Sequence, residues 1–159
     1  MAGTATPTST PLPLYFPLAV RDHAVTPVPS LTPTRTLSPF PFTLQDGNPV
    51  YLQNFANTAG CNWLGIAGQV FDLKGDPLLN LIVHVEGGSL NLDGFTGSFP
   101  AYGPGGYELV LGNTPVNTSD VYRIQLRTAV GQPLSDVYVI PTFADCKKNL
   151  VLANFVQNH

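Results

Sequence analysis

Apolar and polar residues alternate most cleanly in Tyr107-Glu108-Leu109-Val110-Leu111 and Tyr122-Arg123-Ile124-Gln125-Leu126. A strand sends successive side chains to opposite faces. Tyr107, Leu109, Leu111, Tyr122, Ile124 and Leu126 are therefore expected to turn to a core, while Arg123, Gln125 and Arg127 face water. A third phrase runs Gly68-Gln69-Val70-Phe71-Asp72-Leu73-Lys74-Gly75-Asp76-Pro77-Leu78 and leads into Leu81-Ile82-Val83-His84-Val85. Its Asp-x-x-Gly-x-Pro centre is a turn and predicts a β-hairpin. Strand character falls at 50–55, 66–73, 81–86, 106–111, 121–127, 137–143 and 150–156. Gly/Pro turn signals separate these runs and no segment keeps a helical period, so the expected fold is an all-β antiparallel sandwich. Tyr51-Leu52-Gln53-Asn54-Phe55 and Val151-Leu152-Ala153-Asn154-Phe155 share Leu-x-Asn-Phe. The echo fits either chance or neighbouring strands.

Residues 1–45 read differently. They are a Pro/Thr/Ser segment, with Thr6-Pro7-Thr8-Ser9-Thr10-Pro11 and Thr26-Pro27-Val28-Pro29 as its plainest stretches. Proline lacks an N–H and disfavours helix at the preceding residue, so an extended tail is expected. At full extension it reaches about 140 Å. Such runs serve as stalks or spacers, often O-glycosylated. One piece is too apolar for a solvated linker: Leu14, Tyr15, Phe16, Leu18 and Val20. It is a candidate docking strand for a sheet edge, with a sticky linker as the plainer reading. The division is thus a tail at 1–45 and a sandwich domain at 46–159.

Composition narrows the setting. Charged residues are 11% of the 159, against roughly 25% in an average globular protein. Net charge is −3 and the basic residues are scattered, which argues against a nucleic-acid footprint. No apolar run is long enough for a membrane span. Met1–Pro7 lacks the basic and apolar regions of a secretion leader; the expectation is a leader trimmed away or lying upstream. The two cysteines, Cys61 and Cys146, bracket most of the strands and are expected to form a disulfide, with two buried thiols as the alternative. A disulfide and a Thr/Pro stalk both place the chain outside the cell or on its surface.

Chemistry-bearing residues are few. There is no Gly-x-Ser-x-Gly frame, no HExxH and no phosphate loop. His84 and Glu86 share a strand face, but two ligands make a poor metal site, so a solvent-facing His beside an exposed Glu is expected. Asp72 with Asp76, and Asn91 with Asp93, suit Ca²⁺ or turn hydrogen bonding; the second is the simpler reading. Catalysis, cofactor and metal are not expected. Trp63, Phe99, Tyr102 and Tyr107 surround Gly-rich loops and form the expected ligand or partner surface, although Tyr107 also alternates inward. For Trp63, packing beside Cys61 is the plainer reading; Tyr102 is expected to be the exposed ring.

Gly68-x-Val70-x-Asp72-x-x-Gly75-x-Pro77-Leu78, Val83-x-Val85 and Gly106-Tyr107-x-Leu109-x-Leu111 resemble the carboxypeptidase regulatory-like modules, which are transthyretin-like β-sandwiches. The resemblance covers about 62–155. In detail, 61–70 and 100–108 look like modules of secreted proteins from Chloroflexi-type bacteria, where they sit behind Thr/Pro stalks. The approach Tyr102-Gly103-Pro104-Gly105-Gly106 departs from the usual pattern by lacking an Asp. The resemblance implies a seven-stranded antiparallel Greek-key sandwich and an accessory role. The expected function is a non-catalytic, secreted or surface structural or adhesive module that self-assembles, as in a filament, through its tail. The alternative is a carbohydrate-binding module using its Gly-aromatic loops. The expected partner is a protein or a glycan.

Overall fold

A computed structural model describes residues 38–159 of the chain, within a compact unit that spans Thr36–His159. Eleven short strands run through them: β1 Phe42–Leu44, β2 Val50–Leu52, β3 Leu64–Gly68, β4 Val70–Phe71, β5 Ile82–Gly87, β6 Leu90–Phe95, β7 Tyr107–Gly112, β8 Thr118–Arg127, β9 Tyr138–Thr142, β10 Leu150–Leu152 and β11 Phe155–Gln157. Single 3-10 turns lie at Pro100–Tyr102 and Cys146–Lys148. The hydrogen-bonded orders are β2-β10-β3-β7, β6-β5-β8-β9 and β1-β11-β4. The architecture is all-β, of two facing layers.

The first and third sheets are continuous. Ala153 N–H donates to Ala67 C=O at 2.8 Å and Phe155 N–H to Gln69 C=O at 2.9 Å. These bonds bridge the gaps, so β3/β4 and β10/β11 act as two kinked strands running side by side. Their pairing is parallel. The purely antiparallel expectation is corrected here, because a period of two residues encodes which face is buried and not which way a neighbour runs. The Leu-x-Asn-Phe echo does join neighbours: β2 and β10 pair antiparallel, with Tyr51 opposite Val151.

All seven runs expected from the pattern contain strands. Two strands lie outside them. β6 was hidden by Asn91, Asp93 and Gly94, residues of low strand preference. Yet it returns from β5 through a two-residue turn at Gly88-Ser89, both with positive φ. β1 lies ahead of the 45/46 boundary suggested by composition. Phe42 is buried in the core and β1 pairs with β11. The Gly68–Leu78 hairpin is shorter than expected. Pairing beyond the turn stops at Pro77 and Leu78. The chain then crosses to the other sheet, where β5 lies between β6 and β8.

The main core fills the space between the layers. Ile66, Val70, Val83, Val85, Tyr107, Leu109, Ile124, Leu126, Ile140, Val151 and Phe155 form it. The six inward positions expected from β7 and β8 are all buried. Gln125 is buried too, against expectation, because it accepts from Arg127 Nε at 2.9 Å and donates to Ser135 C=O at 3.1 Å. Side chains close one open seam of the sandwich. Tyr51 meets Phe143 edge-on at 4.8 Å and its hydroxyl donates to Pro141 C=O at 3.1 Å.

Candidate functional site

The Gly-aromatic region folds inward. Trp63, Ala67, Tyr102 and Leu150 make a second apolar cluster, with Leu52, Ala56 and Leu152 against it. It lies on the face of β2-β10-β3-β7 turned away from the main core, under the 53–63 loop. Gly65 makes this possible: a Cβ there would stand 2.4 Å from the Trp63 ring. The indole therefore lies directly on the strand backbone. Cys61 and Cys146 form the expected disulfide, with Cα atoms 5.0 Å apart, and tie the loop to the second 3-10 turn.

Three of the four expected surface aromatics are corrected. Trp63 is 5% exposed and Tyr102 8%, and Tyr107 is wholly buried. The Tyr102 hydroxyl donates to Glu108 Oε2 at 2.6 Å, and that of Tyr107 to Ala153 C=O at 2.5 Å. A ring with one polar end packs well where the hydroxyl finds a partner, and both do. Phe99 does reach solvent. The ring that period and motif missed is Phe55. It is 60% exposed and sits edge-on against Tyr102 at 5.6 Å. The candidate docking residues Leu14, Tyr15, Phe16, Leu18 and Val20 lie outside the described residues.

The two buried phenols carry a pH signature. Burial pushes the Tyr102 hydroxyl well above the ordinary tyrosine range, and the Glu108 carboxylate adds to the shift; burial alone does the same for Tyr107. The folded chain therefore keeps both neutral at pH values where the unfolded chain ionises them. Their contribution is complete below about pH 10 and is lost as pH rises beyond it, at up to about 1.4 kcal/mol per pH unit for each phenol. Urea midpoints between about pH 9 and 11.5 are expected to fall, and less steeply in Tyr107→Phe. An alkaline limb unchanged in that variant contradicts the assignment.

On the outer face of β6-β5-β8-β9, His84 is 6% exposed rather than solvent-facing. Register explains this. Asp93 and Gln125 lie directly opposite it on either side. His84 Nδ1 is 2.7 Å from Asp93 Oδ1, and its Nε2 is 4.0 Å from Glu86 Oε2. Asp93 and His84 tie β6 to β5, while Gln125, opposite His84 on β8, is tied to Ser135. The sequence signal for the first tie was the Gly88-Ser89 turn, which sets Asp93 against His84 once β6 is counted as a strand. Asp72 takes the turn role: its Oδ1 accepts the N–H groups of Lys74 at 2.8 Å and Asp76 at 2.9 Å, and Gly75 supplies the positive φ. These bonds hold the Asp72 carboxyl below its ordinary range, the Asp76 N–H foremost. Among the described residues no group of three His, Cys, Asp or Glu is placed to hold a metal ion. Among them, no helix is long and apolar enough to cross a membrane.

The same turn borders an open groove of about 470 Å³, lined by Gln45, Phe71, Asp72, Leu73, Lys74, Gly75, Val156 and Gln157. A half-buried ring, two aliphatic side chains and two carboxamides meet there. Such a mixture suits a small polar ligand with one apolar face.

No protein-family model matches the chain, and no curated protein does. A solved structure with some likeness is the dioxygenase domain of a dioxygenase and carbohydrate-binding protein fusion from the cellulolytic bacterium Streptomyces sp. SirexAA-E. It has a TM-score of 0.38 and 16% identity, covering 73% of this chain and 97% of that one.

Proposed function

We propose that the chain is a carboxypeptidase regulatory-like, transthyretin-like sandwich serving as a non-catalytic structural or adhesive module of the cell surface, which self-associates. Counting β3/β4 and β10/β11 once each, the seven strands are these two with β5, β6, β7, β8 and β9; β1 and β2 are additions from the N-terminal side. The chain changes sheet at β4 to β5, β6 to β7, β7 to β8 and β9 to β10. Such crossing supports a Greek-key reading. The disulfide supports an oxidising compartment.

The observation that carries self-association is the edge strand β9. Val137, just before it, is 52% exposed and Val139, within it, 46%. Exposed apolar edges are pairing surfaces unless blunted by charge or proline; Pro141 blunts the far end of β9 and confines the proposed pairing to the stretch from Val137 to Ile140. Ser38 donates to Asp136 Oδ2 at 2.7 Å beside that edge. Sedimentation velocity of the full chain is expected to show concentration-dependent species. Val137→Lys with Val139→Lys is expected to weaken association by about tenfold or more. A chain that sediments as a monomer throughout, or assembles equally well with both lysines, removes the reading.

Glycan binding is the second reading. The exposed Phe55 ring beside the Tyr102–Glu108 pair favours it, since sugars stack on aromatic faces next to hydrogen-bonding groups.

A further inference from the structure

We propose that the groove beside the Asp72–Gly75 turn binds a neutral saccharide of about two sugar units. This rests on the glycan reading and moves its site away from the Gly-aromatic loops. The groove's volume of about 470 Å³ falls within the range of small-ligand sites. Phe71, Leu73 and Val156 give it an apolar floor, and the charges of Asp72 and Lys74 offset one another. A charged ligand gains little there.

Its two carboxamides are held with opposite functions. Gln45 Oε1 accepts from Asn154 Nδ2 at 3.0 Å, which leaves Gln45 Nε2 as a donor without a partner among the described residues. Gln157 Nε2 donates to His159 C=O at 3.1 Å, which leaves Gln157 Oε1 as an acceptor without one. A hydroxyl both donates and accepts, so adjacent sugar hydroxyls suit such a pair. The turn wall is held in place by Asp72. A peptide strand fits poorly, because both edges of β1-β11-β4 are taken. Leu78 N–H donates to Val70 C=O at 2.8 Å on one side, and Phe42 N–H to Leu134 C=O at 3.1 Å on the other. Recognition must come from side chains.

The test is a ¹⁵N NMR titration of the full chain with cellobiose, maltose and N,N′-diacetylchitobiose. At least one is expected to cause saturable shifts in the Gln45 and Gln157 side-chain amides and in the backbone amides of 71–75. Gln157→Ala, at the surface, is expected to weaken that binding about fivefold, and Phe71→Ala about tenfold with an otherwise folded spectrum. Saturable shifts confined to Phe55, Phe99 and Glu108 overturn the groove and leave the glycan reading standing. Binding indifferent to Gln157→Ala also overturns the groove. So does silence with all three sugars up to about 20 mM; the glycan reading then falls only if a glycan array is blank as well.

Discussion

Replacing Cys61 and Cys146 together by serine is expected to lower the unfolding free energy by about 4 to 5 kcal/mol. The two are 85 residues apart in sequence. In the chain-entropy model a closed loop of that length removes much of the freedom of the unfolded chain. The native consequence is local. The disulfide joins the 53–63 loop to the 3-10 turn at Cys146–Lys148, and that loop covers the Trp63–Tyr102 cluster. Urea unfolding of the double variant against the parent measures the loss. Trp63, the single tryptophan, reports the loop by its fluorescence. A midpoint unchanged within error rules out a stabilising disulfide.

Asn149→Ala is expected to cost about 3 to 4 kcal/mol, a large loss for one side chain. Asn149 is wholly buried. Its Oδ1 accepts from Asn54 N–H at 2.8 Å, while its Nδ2 donates to Gly60 C=O at 2.7 Å and to Trp63 C=O at 2.9 Å. Alanine leaves the Asn54 N–H and the Trp63 C=O short of a partner in buried surroundings, and the Gly60 C=O short of one nearer the surface. Asn149→Asp keeps the acceptor but sets a buried carboxylate against the Gly60 and Trp63 carbonyls, so a loss at least as large as alanine's is expected. A loss below about 1 kcal/mol in the alanine variant shows that water replaces the amide. Asn149 and the disulfide hold the same loop, so their losses are expected not to add when combined.

Much of the sandwich was legible because alternation is a direct imprint of a half-buried strand. Tyr107, Leu109, Leu111, Tyr122, Ile124 and Leu126 are buried as the pattern requires. The Asp72 turn was legible because its residues have few other uses. The surface was much less so. Tyr102 lies beside a glycine and reads as exposed, but nothing in a linear pattern tells which loop folds over a sheet's outer face. Gly65 and Asn149, which allow and hold that cover, act through contacts distant in sequence. His84 became buried for a similar reason: its neighbours Asp93 and Gln125 come from two other strands, and only register brings them together. Composition placed the tail boundary too late, because prolines at 39 and 41 mask the strand that follows.

The order of the first sheet has a consequence for a chain made N-terminus first. β10 lies between β2 and β3, yet it emerges after every other strand of that sheet. Until it arrives, β2 has no partner and β3 is paired on one side only. The layer thus closes like an arch whose keystone is delivered last, and its earlier strands wait for the final residues of the chain before the sheet is whole.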